Sequence, residues 1–287
     1  MAGPHRESFA QMLRRRSALP PFLLALLLVT VPAPAGTAEQ NWLPPGSAIG
    51  VTGAPPAELI RAGTIRDERW LYGRLLFHSP ALLGERAVRI GLSCNGCHTN
   101  GHRNSSFFIE GLSDRPGRID VTHRFWKAGS DDGLDNPIDI PSLRGVRDGG
   151  PYGTTLQLPD LAAFTRHVIV TEFAGPPPDD ADIEALLAYI NSLAGPEAAG
   201  GVENSPPLDG ISYLPLLAAP IAAEDFHAID RRYDLILSDY GRHAAAGDIA
   251  PSDIERDLAR LAALYEKAAA GNFAAASLIH QSLSGGQ

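Results

Sequence analysis

A chain of 287 residues with 44% apolar side chains has room for one large or two small domains, and it is too apolar to be disordered throughout. Its 33 acidic residues against 24 basic ones give a net charge of -9, which excludes the basic face a nucleic-acid partner requires. Two cysteines are too few, and too close together, for the disulfide framework of a small secreted fold.

Arg14, Arg15 and Arg16 precede an apolar run from Phe22 to Val31, and Ala33-Pro34-Ala35 follows as a small-x-small cleavage site, with Ala38 a second choice. This pattern predicts a signal peptide over residues 1–35 whose apolar run is too short to span a bilayer. Its removal leaves a net charge near -12. No later stretch is apolar enough to cross a membrane. The mature chain is therefore expected in the periplasm, acidic and without a membrane span.

Glu39 to Pro56 is rich in Pro and Gly, and residues 36–66 read as an extended N-terminal arm. Helical spacing sets in from Glu58 and runs to about Phe77, with Leu71 and Leu75 on one buried stripe, and Ser79-Pro80 ends it. Residues Thr99 to Tyr152 lack periodicity, which is unusual for so long a segment unless it wraps something. Leu158 to about Phe173 reads as a helix with Leu161, Phe164 and Val168 facing inward. The clearest helix is Asp180 to Leu193, capped by Asp179 or Asp180, with Ile183, Leu186, Leu187, Ile190 and Leu193 on one face. Residues 196–212 read as a linker. Residues 213–287 are Ala-rich and helical, with runs at Ala222–His243, Pro251–Ala270 and Asn272–Leu283. The expected fold is all-α.

Cys94-Asn95-Gly96-Cys97-His98 carries the chemistry. C-x-x-C-H is the attachment signature of c-type haem. Each thiol adds to one vinyl group of the porphyrin, two intervening residues let one turn reach both, and the following imidazole is aimed at the iron. A thioredoxin-like pair would sit in a βαβ unit, and a zinc site would need a second pair of ligands; neither pattern is present. Cys94, Cys97 and His98 are thus the expected haem-binding residues, with His98 as the iron ligand.

Gly73-Arg74-Leu75-Leu76-Phe77-His78-Ser79-Pro80, the C-x-x-C-H segment from Leu92, Pro141-Ser142-Leu143-Arg144-Gly145-Val146 and Pro151-Tyr152-Gly153 together resemble a haem domain of the bacterial di-haem cytochrome c peroxidases and their methylamine-dehydrogenase-maturation relatives. Leu187-Ala188-Tyr189-Ile190 resembles the closing helix of class I cytochromes c. The resemblance covers roughly residues 67–194 and implies a cytochrome c-like domain over 67–195, with haem held between an N-terminal and a C-terminal helix. The chain departs from the family pattern in two respects: it has one C-x-x-C-H motif instead of two, and Gly153-Thr154-Thr155 stands where relatives have His-Asp-Gly.

Met1 and Met12 are the only methionines, so the mature chain has no methionine to offer the iron. His167 and His123 are the candidates for the sixth ligand, with His167 on the helix where the resemblance implies a distal ligand; an open or water-bound iron is the alternative. Asp131, Asp132, Asp135 and Asn136 form a candidate Ca2+ loop, or simply a set of turns. Arg118, Arg144 and Arg147 are candidate partners of the propionates. Trp70 and Trp126 read as core residues or as contacts of the ring. Three functions remain open: an electron carrier exchanging single electrons with a redox protein partner, a peroxidase-like enzyme, and a haem subunit of a larger redox complex.

Overall fold

Two crossing helices of eleven residues and a C-terminal set with two longer helices make up most of the regular structure among the described residues. A computed structural model describes residues 55–127, 129, 131–153, 158–195, 197–205, 210–246 and 249–284, all within one unit spanning Glu39–Gln287. The expected signal peptide and the arm up to residue 54 lie outside the described residues.

Strand β1 (Leu59–Arg61) comes first, and α1 (Glu68–His78) follows. Asp67 caps α1 by accepting from Trp70 N at 3.0 Å, and Ser79 closes it, its N–H reaching Leu76 O. The helix therefore begins ten residues later than the local pattern predicts. The reason is long-range: β1 pairs antiparallel with β4 (Val202–Asn204), Ile60 opposite Glu203, and Ile60 is fully buried. A partner some 140 residues away leaves no periodic trace near Glu58.

A 3-10 turn at Pro80–Leu83 and helix α2 (Glu85–Ile90) lead to the single turn α3 (Cys94–Cys97). The next fifty residues are largely irregular, as expected, with 3-10 turns at Thr99–Gly101 and Val146–Asp148 and a two-residue ladder of β2 (Arg118–Ile119) with β3 (Ile138–Asp139). Helix α4 (Leu161–His167) passes into a π-helical turn, Val168–Glu172, and α5 (Asp180–Ile190) follows with Asp179 as its N-cap.

Packing of α1 against α5 is the largest helix contact. Gly73 makes it possible: a Cβ there would lie 1.8 Å from Ala185 O. On either side, Phe77 meets Tyr189 at 5.1 Å between ring centroids, and Trp70 donates Nε1–H to Ser192 Oγ at 2.8 Å. Trp126 likewise donates to Asp120 O and packs on Phe173, so both tryptophans are core residues.

The remaining helices are α6 (Gly210–Tyr213), α7 (Pro215–Ala222), α8 (Phe226–Ala246), α9 (Pro251–Ala269) and α10 (Phe273–Ser284). They pack onto α1 through α7 and α8. As a result α1 is buried on every side from Trp70 to His78, where the sequence pattern predicts a single stripe. Arg232 meets Glu68 at 2.5 Å, Arg231 meets Asp182 at 2.5 Å, and buried Arg74 lies between Glu58 (3.1 Å) and Asp239 (3.5 Å). The expected linker includes β4, which is paired rather than spanning a gap. The fold is mostly α, and no described helix is long and apolar enough to cross a membrane.

Candidate functional site

Cys94 and Cys97 occupy the two ends of α3, one helical turn apart. Backbone bonds close the turn: Gly96 N to Ser93 O at 2.9 Å and His98 N to Cys94 O at 2.9 Å. Side-chain amides then brace it. Asn104 donates Nδ2–H to Gly96 O at 2.8 Å, and Asn95 Oδ1 accepts from Asn100 N at 2.8 Å. Cys97 is buried and Cys94 half-buried, and both are free thiols. Burial pushes the Cys94 thiol up to about 12; Cys97 is raised too, by burial and then by its neighbour Cys94. Neutral thiols of this kind are poor nucleophiles toward disulfides, unlike a redox-active C-x-x-C pair whose thiolate is stabilised.

His98 leaves the turn with its ring oriented by Pro141. Nδ1 lies 2.9 Å from Pro141 O, a carbonyl that can only accept, so Nδ1 carries the hydrogen and Nε2 keeps its lone pair. Burial lowers the imidazole to about 4, against a smaller upward effect of that hydrogen bond, so the ring is neutral at pH 7. A neutral imidazole whose other nitrogen is tied to a carbonyl is the arrangement metal-ligating histidines use. The Pro141 strap is itself tied to the motif region through Leu143 N to Gly101 O at 2.9 Å and Ser142 Oγ to Gly101 O at 3.2 Å.

Two further observations bear on what this site could hold. Arg144, three residues beyond Pro141, has a buried Nε–H with no hydrogen-bond partner, a costly state that an anionic oxygen would relieve. The Nε–H of Arg118 is likewise buried without a hydrogen-bond partner, but Arg118 is also ion-paired with Asp114, and Arg147 with Asp148. The second observation is apolar surface left half-open. Leu143, Val146, Leu161, Phe164 and Val168 are all only partly buried, and no residue of α4 is fully buried. Two thiols, a neutral imidazole with one nitrogen free, an orphaned guanidinium N–H and half-buried apolar side chains are the kinds of group that could hold a covalently attached porphyrin with carboxylate arms.

The other predicted residues fall as follows. His167 is partly exposed, with Nε2 3.5 Å from Glu172 Oε1. Desolvation raises Glu172 to about 7, so it holds its proton into the neutral range. This acid–base pair, at the junction of α4 and the π-turn, escaped the sequence reading; Glu172 lies among apolar residues, which is the signal that could have found it. The His123 ring accepts from Phe125 N at 3.0 Å and serves a local turn. Asp131 and Asp132 accept from the backbone of Gly133 and Leu134, the turn alternative for that loop, and no group of three or more metal-binding side chains occurs among the described residues. His243 is buried in α8 within 3.5 Å of Asp239.

No known protein family, no curated protein and no solved structure matches this chain.

Proposed function

We propose that this chain is an exported c-type cytochrome, carrying one haem on Cys94, Cys97 and His98 and exchanging single electrons with a redox protein. The observation that carries the reading is the hydrogen bond from His98 Nδ1–H to Pro141 O. It joins the C-x-x-C-H motif to the Pro-Ser-Leu-Arg segment, 43 residues away, and frees Nε2 for iron. The bound group supplies an Fe(III)/Fe(II) couple.

The chain's own residues anchor and tune it. Cys94 and Cys97 hold it covalently at two points one turn apart. His98 would supply Nε2 to the iron, made more basic by the Pro141 carbonyl at Nδ1. Arg144 offers its unpaired N–H to a propionate. Leu143, Val146 and Phe164 exclude water from the face they line. Without methionine after Met12, His167, His123 or water would be the further ligand, and such a haem would have a lower potential than one ligated by methionine.

A second reading, peroxide reduction, is favoured by Glu172 beside His167. A carboxyl titrating near 7 next to an imidazole can hand protons back and forth at neutral pH.

The test is the full-length protein matured in cells with haem-attachment machinery. It should give a covalent haem stain on a denaturing gel and a c-type pyridine haemochrome, both lost in Cys94→Ala/Cys97→Ala. A colourless wild-type protein overturns the reading. A ferric spectrum unchanged by cyanide supports the carrier; a cyanide shift with rapid peroxide reactivity supports the enzyme.

A further inference from the structure

His78 ends α1 with its ring turned back on its own helix. Nδ1 lies 2.8 Å from Arg74 O, a carbonyl that can only accept, so Nδ1 carries the hydrogen and Nε2 the lone pair. His78 is 7% exposed, and its Nε2 is buried with no hydrogen-bond partner. Arg74, one turn earlier, presents an orphan of the opposite kind. Its Nε–H meets Glu58 at 3.1 Å, but its buried Nη1 has no hydrogen-bond partner and stands 3.5 Å from Asp239 Oδ2. An acceptor and a donor left unpaired in the interior are each costly.

Both atoms belong to one buried cluster. Arg242, Arg74, Asp239 and Glu58 all act on the His78 ring through their charge. The cluster's other hydrogen bonds are already made. Tyr189 donates to Glu58, and Asp239 accepts from Tyr213 O–H at 2.6 Å and from Arg242 Nε–H at 2.9 Å. The chemistry of the two orphans restricts what can serve them. Nε2 requires a donor, which rules out an anion without a proton. Nη1–H requires an acceptor, which rules out an ammonium-like cation. A metal ion on Nε2 would face the guanidinium charges of Arg74 and Arg242, and no group of three or more metal-binding side chains occurs among the described residues. A small neutral hydroxylic molecule both donates and accepts, and water is the smallest of these.

We infer that His78 and Arg74 form a binding site for one internal water between α1 and α8. The water donates to His78 Nε2, accepts from Arg74 Nη1–H and turns its second hydrogen to Asp239, about the usual number of bonds for a buried water. It also completes the contact of Arg74 Nη1 with Asp239, which at 3.5 Å makes no direct hydrogen bond. His78 and Arg74 lie on α1 and Asp239 on α8, so the water is a polar joint between the two helices. The site is independent of the haem assignment, since none of its groups belongs to the C-x-x-C-H motif.

The test is a crystal structure of the purified protein at atomic resolution, with imidazole nitrogen and water cross-relaxation NMR on the same sample. An ordered water within about 3.2 Å of both His78 Nε2 and Arg74 Nη1 is expected. The His78 ring should be protonated at Nδ1 and hydrogen-bonded at Nε2, with magnetisation transfer from a long-lived water. His78→Phe, similar in shape but without the acceptor, should lose that water from the electron density. If this variant does not fold, the wild-type ring decides alone: a ring protonated at Nε2, or an Nε2 that accepts no hydrogen bond, overturns the inference. A side chain bonded directly to Nε2, anomalous scattering from a metal at that atom, or a water that keeps its place in His78→Phe overturns it as well.

Discussion

At His98 a single carbonyl decides what the side chain can do. Bonded at Nδ1 by Pro141 O and kept neutral by burial, the ring has one nitrogen left to give. Arg144 extends the same logic: its Nε–H is buried and unpaired, so a carboxylate arriving there gains a hydrogen bond without having to displace an existing one. Arg144→Ala should lower the midpoint potential of the holoprotein, because removing a cation favours the oxidised iron, and Arg144→Lys should recover most of the loss. Potentiometric titration reads both, and an unchanged potential in the alanine variant would remove Arg144 from the site. The residues of the motif stand out in the sequence because the proposed covalent attachment needs fixed types at fixed spacing. Glu172 was not, because its raised affinity for a proton comes from desolvation by neighbours that only the folded chain assembles.

At the scale of elements, the α1–α5 crossing is where a small change should do most damage. Gly73→Ala puts a methyl group where Ala185 O stands, and relief requires the helices to separate. It should cost about 3 kcal/mol or more, seen as a lowered denaturant midpoint. Asp67→Ala removes the α1 cap and should cost about 1 kcal/mol in the same measurement, with Asp67→Asn near neutral. Helix α5 was readable because cap, period and stop agree over its whole length. The start of α1 was misplaced because Leu59–Arg61 is held by β4, and strand pairing over that separation is invisible to a local window. The all-round burial of α1 was equally out of reach, since α8 supplies the second wall.

At the largest scale, buried charge ties the C-terminal helices to α1 and Glu58. Burial opposes ionisation of Glu58, yet Arg74 and further partners overcome it and lower the carboxyl to about 2. Asp239 is likewise held well below the usual carboxylate range, with burial outweighed by His243, Arg242 and Arg74. His78 is lowered to about 3 by burial, then by Arg242 and Arg74. For all three groups the unfolded chain takes protons more readily, so each removes stability as the pH falls: His78 from about 6.5 down, the two acids from about 4 down. Glu172 acts in the opposite sense. Its raised pKa means the folded chain binds the proton first, adding stability as the pH falls from 7 toward 4.5. His98, lowered to about 4, adds to the slope of His78, so in the haem-free protein the two histidines outweigh Glu172 and the thermal midpoint should fall from about pH 6.5 downward. Glu172→Gln removes the opposing contribution and should steepen that decline between about pH 6.5 and 4.5. A midpoint that declines identically in wild type and variant would contradict this assignment.

The same network predicts that residues 55–284 unfold in one transition. Deleting residues 206–287 strips Arg74 of Asp239 and Asp182 of Arg231, leaving buried charge uncompensated, and should abolish cooperative folding; a truncated protein with a sharp transition would refute that.

The sequence alone determined the spacing of the Cys94–His98 motif, the mostly helical class and the helices whose caps and apolar periods are local. Those signals arise from forces acting within a few residues: bond geometry, capping and the helical repeat. The tertiary structure decided what those helices are packed against, which carbonyl orients His98, and that the C-terminal helices form part of the core around α1. Such facts rest on burial and charge pairing between residues far apart in the chain, and a linear pattern holds no record of which distant partner will arrive.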